Sequence, residues 1–238
     1  MLQIENYTKR YGDFLAVDNL DMQVRPGTLM GFIGHNGAGK TTTLRSVAGI
    51  LDFDSGSIRI GGVDIKQDPI RVKSMTAFIP DNPELYEFLT GAEYLDFISD
   101  VFELDDEQRK SRITKYAQAF ELQDNLSDRV SSYSHGMKQK LALIGALIHE
   151  PRLLLLDEPF VGLDPIAART LRSYLREVCD KGGAVVFSTH VLEVAQKICD
   201  EIAIIKNGRL VIQGATQELT QNASLEDIFV ELSESEAV

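Results

Sequence analysis

Gly34-His35-Asn36-Gly37-Ala38-Gly39-Lys40-Thr41-Thr42 is the stretch that decides how this chain folds. It satisfies the phosphate-binding pattern G-x-x-x-x-G-K-[ST] at every fixed position. Gly34, Gly37 and Gly39 carry no Cβ, so the backbone can take positive φ and press its N–H groups onto phosphate oxygens. Lys40 brings a point charge to the β- and γ-phosphates of a nucleoside triphosphate, and the Thr41 hydroxyl is placed to ligate Mg²⁺. Leu29-Met30-Gly31-Phe32-Ile33 reads as a buried strand. Residues 41–50 read as a helix whose N-terminus faces the anion. Strand, loop and helix together predict an α/β fold with a nucleotide site at the loop.

The sequence further on supplies groups that such a site needs. Leu153 to Leu156 is a continuous apolar run, as expected for a parallel strand covered on both faces. It stops at Asp157-Glu158-Pro159. Two carboxylates at the C-terminal edge of a central strand lie where α/β sheets bind ligands. One can hold Mg²⁺ through its water shell and the next can polarise an attacking water. Ala184 to Phe187 is a second buried strand, ending in Ser188-Thr189-His190, which makes His190 a candidate γ-phosphate contact. Ser134 is suited to cap the helix that carries Leu141, Ile144 and Leu147. With Gly136 it forms a second possible anion site.

Around these elements, Leu2 to Tyr7 alternates like an edge strand, and Ala16-Val17 and Met22 to Val24 read as short strands. Tyr11 is the candidate to stack on an adenine ring, with Phe14 the alternative; a core aromatic on a strand is the competing reading. Ser57 to Ile65 reads as a hairpin turning at Gly61-Gly62, and Met75 to Ile79 as a buried strand. Between about Leu85 and Glu150 the apolar spacing becomes helical, which predicts an all-helical insert. Asn207-Gly208 marks another hairpin. The expected division is a core with a β subdomain over 1–84 and 151–215, a helical subdomain over 85–150, and a short tail over 216–238.

The 238 residues, 44% of them hydrophobic, suffice for one large domain or a core with an insert. A net charge of −12 disfavours nucleic acid as a partner, because affinity for it comes mainly from Lys and Arg. The acidic stretch Glu231 to Glu236 is expected to be a frayed end. Cys179 and Cys199 lack metal or redox spacing and are expected to be reduced, partly buried thiols. The four histidines are scattered, so no structural zinc is expected. Met1 to Ile4 opens into a strand pattern, so no leader is expected. Apolar runs fall short of the roughly 18 residues of a membrane span.

Tyr133-Ser134-His135-Gly136-Met137 narrows the reading, because it resembles the L-S-G-G-Q signature of ABC ATPases. The order of Tyr11, phosphate loop, helical insert, signature, Asp157-Glu158, Leu163-Asp164 and His190 is similar to that family over residues 2 to 215. The resemblance implies a P-loop (RecA-like) core with an N-terminal antiparallel β subdomain and an inserted helical subdomain. It also implies an ATP-hydrolysing subunit of an ABC transporter that uses ATP and Mg²⁺. Two such chains would form a homodimer with ATP between the phosphate loop of one and the signature of the other. By position, Tyr11 would stack on adenine, and Gly34 to Thr42 would bind the phosphates. Thr41, Asp157 and Asp81 would serve the metal. Ser134 and Gly136 would reach the partner's γ-phosphate. Glu158 would be the catalytic base, Asp164 would link the two sites, and His190 would hold the γ-phosphate and water.

Two departures stand out. Asp81 occupies a position where the family usually presents Gln; a carboxylate can meet Mg²⁺ but cannot donate to water. His135 and Met137 replace the first glycine and the glutamine of the signature, which predicts a working but tuned element. The sequence Ser188 to Glu193, the Asn207-Gly208 hairpin and Leu225 to Phe229 look like single-domain ATPases that pair with separate membrane proteins, often exporters. The chain would then lie peripherally on the cytoplasmic face of the membrane, with the partner docked on Asp81 to Phe97. Of the aromatics there, Tyr86, Phe88, Tyr94 and Phe97, most are expected to be core. The alternative is a soluble ABC ATPase without a transport role.

Overall fold

The computed structural model describes residues 1–234. The chain opens with β1 (Leu2–Tyr11) and β2 (Phe14–Val24), joined by a tight turn at Gly12-Asp13. β3 (Leu29–Ile33) runs into the phosphate loop and α1 (Lys40–Val47). A hairpin of β4 (Ser55–Ile60) and β5 (Val63–Asp64) is followed by α2 (Pro69–Ser74) and β6 (Thr76–Ile79). Three helices come next: α3 (Gly91–Val101), α4 (Asp106–Ala119) and α5 (His135–Leu147). Strands and helices then alternate as β7 (Leu153–Asp157), α6 (Pro165–Asp180), β8 (Ala184–Thr189), α7 (Leu192–Ile198) and β9 (Glu201–Lys206). β10 (Arg209–Ala215), α8 (Thr216–Leu219) and α9 (Leu225–Glu234) complete the described chain.

Among the described residues the strands form two sheets. One has four strands in the order β2-β1-β4-β5, and the other six in the order β10-β9-β3-β8-β7-β6. The second is parallel except for β10, which returns antiparallel to β9 through Asn207-Gly208. Both turn residues there have positive φ, 48° and 78°, as a tight hairpin requires.

Every residue of β3, β7 and β8 is buried, and their alternation builds two cores. Leu29, Ile33, Leu154 and Leu156 face the helical layer with Leu141, Ile144 and Leu171. Met30, Phe32, Leu153 and Leu155 face the other way, onto α1 and the antiparallel sheet with Ile4, Val17 and Ile58. Successive strand residues point to opposite sides, so four consecutive leucines serve both layers. Each fully buried leucine contributes about 1.5–3 kcal/mol. The central strands therefore form a stiff base whose C-terminal edge carries the loops of the site.

Several expectations are corrected. β1 is not an edge strand; it lies between β2 and β4. Its alternation reflects one buried face of an antiparallel sheet, a pattern edge and interior strands share. Ala16-Val17 and Met22 to Val24 belong to one eleven-residue strand, whose pairing with β1 is irregular around Asn6 and Asn19, both with positive φ. α1 ends at Val47 rather than Ile50, before Gly49 at φ 68°. Tyr86, Phe88 and Phe97 are exposed instead of core, and they cluster, with ring centroids 5.9 and 5.5 Å apart around Tyr86. The frayed end expected at residues 231–236 is helical through Glu234, as part of α9; residues 235–238 lie outside the described residues. Both cysteines are buried free thiols, and burial raises the pKa of each.

Candidate functional site

The phosphate loop leaves the parallel sheet at Ile33 and enters α1 at Lys40. A Cβ on Gly34 would lie 2.5 Å from the Ile205 carbonyl oxygen. One on Gly39, at φ 109°, would lie 2.9 Å from that of Ala16. Glycine is required at both places, because the backbone around the loop is packed against it. Gly39 is also the N-cap of α1 and has no side chain with which to cap it. The first N–H groups of that helix are thus left to an anion.

The cleft over this loop measures about 310 Å³ and is lined by Asn36, Gly37, Lys40, Thr41, Thr42, Asp81, Asp157 and Glu158. Lys40 is buried, and its Nζ donates to the carbonyl oxygens of Gly34 (2.5 Å) and His35 (3.1 Å). Burial lowers its pKa, while the carboxylates of Glu158 and Asp157 act in the opposite direction. Asp157 is buried at the end of β7, where its Oδ2 accepts from Thr41 Oγ1 at 2.6 Å and its Oδ1 accepts from Ser188 Oγ.

Glu158 has left-handed backbone, φ 47°, a conformation that costs a non-glycine residue about 1 kcal/mol or more. Its N–H is held there by Ser188, donating to Oγ at 3.1 Å and to the carbonyl at 3.2 Å. The Glu158 carboxylate lies 2.9 Å from His190 Nδ1. An ionised carboxylate only accepts, so Nδ1 carries the hydrogen. The structure thus brings Lys40, Thr41, Asp81, Asp157, Glu158 and His190 to one sheet edge. Ser188, absent from the predicted site, is the residue that ties the two acids together. Its signal was the polar run closing a buried strand.

Tyr11 and Phe14 both border the cleft and are 48% and 63% exposed, so the core reading of these aromatics is overturned. They face each other across the β1–β2 turn. If Tyr11 stacks on the adenine ring, a contact worth about 1–3 kcal/mol, Tyr11→Ala should raise the KM for ATP about 5- to 150-fold while leaving kcat in place. A titration of rate against ATP checks this. An unchanged KM in Tyr11→Ala with a raised one in Phe14→Ala moves the stacking role to Phe14.

The signature residues lie elsewhere, and none of residues 133–137 lines this cleft. Ser134 caps α5, its Oγ accepting from the Met137 N–H at 3.3 Å. Ser134 and His135 are exposed, whereas Tyr133 is buried with its hydroxyl donating to the Asn125 carbonyl at 2.6 Å. Met137 packs on the core. His135 and Gly136 sit against Gly162: a Cβ on Gly162 would lie 2.8 Å from the His135 ring, and one on Gly136 3.1 Å from the Gly162 carbonyl. Asp164 caps α6 through the Ala167 N–H (2.8 Å) and pairs with Lys140 of α5 at 2.8 Å. Lys140 is the main reason the Asp164 carboxyl titrates below its ordinary value. Residues 134–136 thus sit outside the cleft, braced against the loop that follows Glu158.

A glycine-rich loop between a parallel strand and its helix, with carboxylates at the same edge on β7, one strand removed from β3, defines a P-loop nucleotide-binding protein. Comparison with known proteins narrows the class. Residues 17–161 match the family model described as ABC transporter. The chain is 34% identical over 242 residues to the ABC-type transporter ATP-binding protein EcsA of Bacillus subtilis (strain 168), covering 100% of this chain and 98% of that protein. It is 34% identical over 219 residues to the Nod factor export ATP-binding protein I of Cupriavidus metallidurans, covering 92% of this chain and 72% of that one. A solved ATP-binding subunit of an ABC transporter superposes with a TM-score of 0.94 at 32% identity, covering 98% of this chain and 99% of that one. The chain belongs to the ABC transporter family as an ATP-binding subunit, and it is an ATPase.

Proposed function

We propose that each chain holds one half of an ATP site, and that closure of two chains around ATP drives a separate membrane protein. The observation that carries this reading is the separation of the two anion-binding elements. The phosphate loop and its acids form one cleft, while Ser134 and Gly136 lie outside it on the helical insert. In this reading Ser134 and Gly136 of the second copy complete the γ-phosphate contacts, and Asp164 links the two sites.

The residues present suit Mg²⁺. Thr41 Oγ1 and Asp157 Oδ2 already converge at 2.6 Å, and Asp81 lines the same cleft, so the donors are all oxygen. When bound, the ion offsets charge on the β- and γ-phosphates. Lys40 turns from the Gly34 and His35 carbonyls to the phosphates. Glu158 takes the proton of the attacking water, and His190 orients Glu158 through Nδ1–H. Asp81, standing where a glutamine is usual, accepts hydrogen bonds without donating one to that water.

The chain would work peripherally at the cytoplasmic face of a membrane. Among the described residues no helix is long and apolar enough to cross one. A groove of about 560 Å³, bordered by Phe78, Pro80, Leu85, Tyr94 and Ile98, opens between β6 and the helical insert. With the exposed cluster of Tyr86, Phe88 and Phe97 it supports docking of the membrane partner's cytoplasmic helix on residues 81–97. Resemblance to a subunit named for export supports an outward direction. Purification of the tagged chain from detergent-solubilised membranes should recover a polytopic partner, and Phe88→Asp should lose it with ATP affinity unchanged. Recovery of the chain from membranes without such a protein contradicts the docking reading.

A further inference from the structure

The C-terminal helix α9 reaches the phosphate loop. It starts from a fixed point: the Leu225 N–H donates to Gln196 Oε1 of α7 at 3.0 Å, and the Leu225 side chain is fully buried. Ser224 and Asp227 cap its first turn reciprocally, with Asp227 N–H to Ser224 Oγ at 3.1 Å and Ser224 N–H to Asp227 Oδ2 at 3.0 Å. Ile228, Phe229 and Leu232 pack against the helical-side core. At the far end, Lys206 Nζ, at the close of β9, donates to the Leu232 carbonyl at 2.8 Å. Held at both ends, α9 lays the Phe229 ring against the His35 imidazole, with centroids 4.6 Å apart and planes tilted by 53°.

His35 is the second residue of the phosphate loop. Its carbonyl accepts from Lys40 Nζ at 3.1 Å and from the Ala38 N–H at 3.1 Å. Two contacts therefore separate Phe229 from the lysine that meets the triphosphate. The loop around His35 is otherwise exposed through Asn36 and Gly37, so a ring seated on its side chain restrains the most open part of the loop.

We propose that Phe229 is a positioning residue for the nucleotide site. Through His35 it holds the phosphate loop in the arrangement that receives a triphosphate, so the seat of the Phe229 ring on His35 sets the affinity for ATP. A restraint already in place before binding need not be imposed by the ligand. Linkage makes the effect reciprocal: ATP in the cleft tightens the contact between Phe229 and His35. The inference rests on the phosphate-loop reading above and adds a distant segment to it.

Calorimetric titration of the full-length chain with ATP tests this, with the melting temperature recorded for every variant. Phe229→Leu keeps the apolar packing of α9 and removes the aromatic contact. An aromatic pair is worth enough that its Kd for ATP should rise about 3- to 10-fold, with kcat unchanged. Phe229→Tyr retains the ring and should restore the wild-type Kd. Ile228→Ala trims core packing next to Phe229 while keeping the ring on His35; it should lower the melting temperature and leave the Kd alone. In a His35→Ala background, Phe229→Leu should add nothing. A wild-type Kd for Phe229→Leu, equal weakening by Ile228→Ala, or additive effects with His35→Ala would each overturn the proposal. Lys40→Ala in the same series separates the two readings. If Lys40→Ala keeps ATP affinity, the phosphate-loop assignment itself is wrong. If it loses affinity while Phe229→Leu does not, only the role of α9 is wrong.

Discussion

Lys40→Ala is expected to weaken ATP binding by about 150- to 4,000-fold, because a buried charge left without its partner costs about 3–5 kcal/mol. Among the described residues, Lys40 is the one lysine or arginine lining the cleft, beside the acids Asp81, Asp157 and Glu158. Without it a triphosphate meets three carboxylates with only backbone N–H groups and any accompanying cation to offset them. The fold should survive the change, since Lys40 Nζ donates only to the carbonyls of its own loop, Gly34 and His35. A fluorescent ATP analogue titrated against the variant measures the effect, with circular dichroism confirming the fold. Near-wild-type affinity would remove the phosphate-loop assignment.

Glu158→Gln should separate binding from chemistry. The amide keeps the size of the side chain and can still accept from His190 Nδ1, now 2.9 Å from Glu158 Oε1. It cannot take a proton from water. General-base catalysis contributes about 10²- to 10⁴-fold, so kcat should fall by that factor while ATP affinity holds. The left-handed backbone at residue 158 does not depend on the carboxylate, because Ser188 holds the N–H. Unchanged steady-state hydrolysis in this variant would remove Glu158 as the base.

The parts of this protein that could be read from its sequence are those encoded locally. The phosphate loop shows itself through glycine spacing, and the packing around Gly34 and Gly39 explains why that spacing is strict. The four leucines before Asp157 announced a strand covered on both faces, and alternate leucines do face different cores. Periodicity failed where the answer depended on neighbours. Alternation in β1 said that one face is buried, but not that strands flank both edges. Helical spacing from about Leu85 predicted helix, but the helix begins at Gly91, and Tyr86 and Phe88 lie exposed in the loop before it. The ties within the site are long-range: Ser188 to Asp157, and Phe229 to His35. No local pattern carries them, because the paired residues are far apart in sequence: Asp157 and Ser188 lie at the ends of two strands joined through α6, and Phe229 comes from the last helix.

The central claim is that one chain holds only half of a working site. Light scattering of Glu158→Gln across an ATP titration tests it most directly, since this variant should bind ATP and not release it by hydrolysis. The expected result is a shift from the mass of one chain to twice that mass as ATP saturates, abolished by adding Ser134→Arg to the same chain. A single-chain mass at saturating ATP would contradict the account.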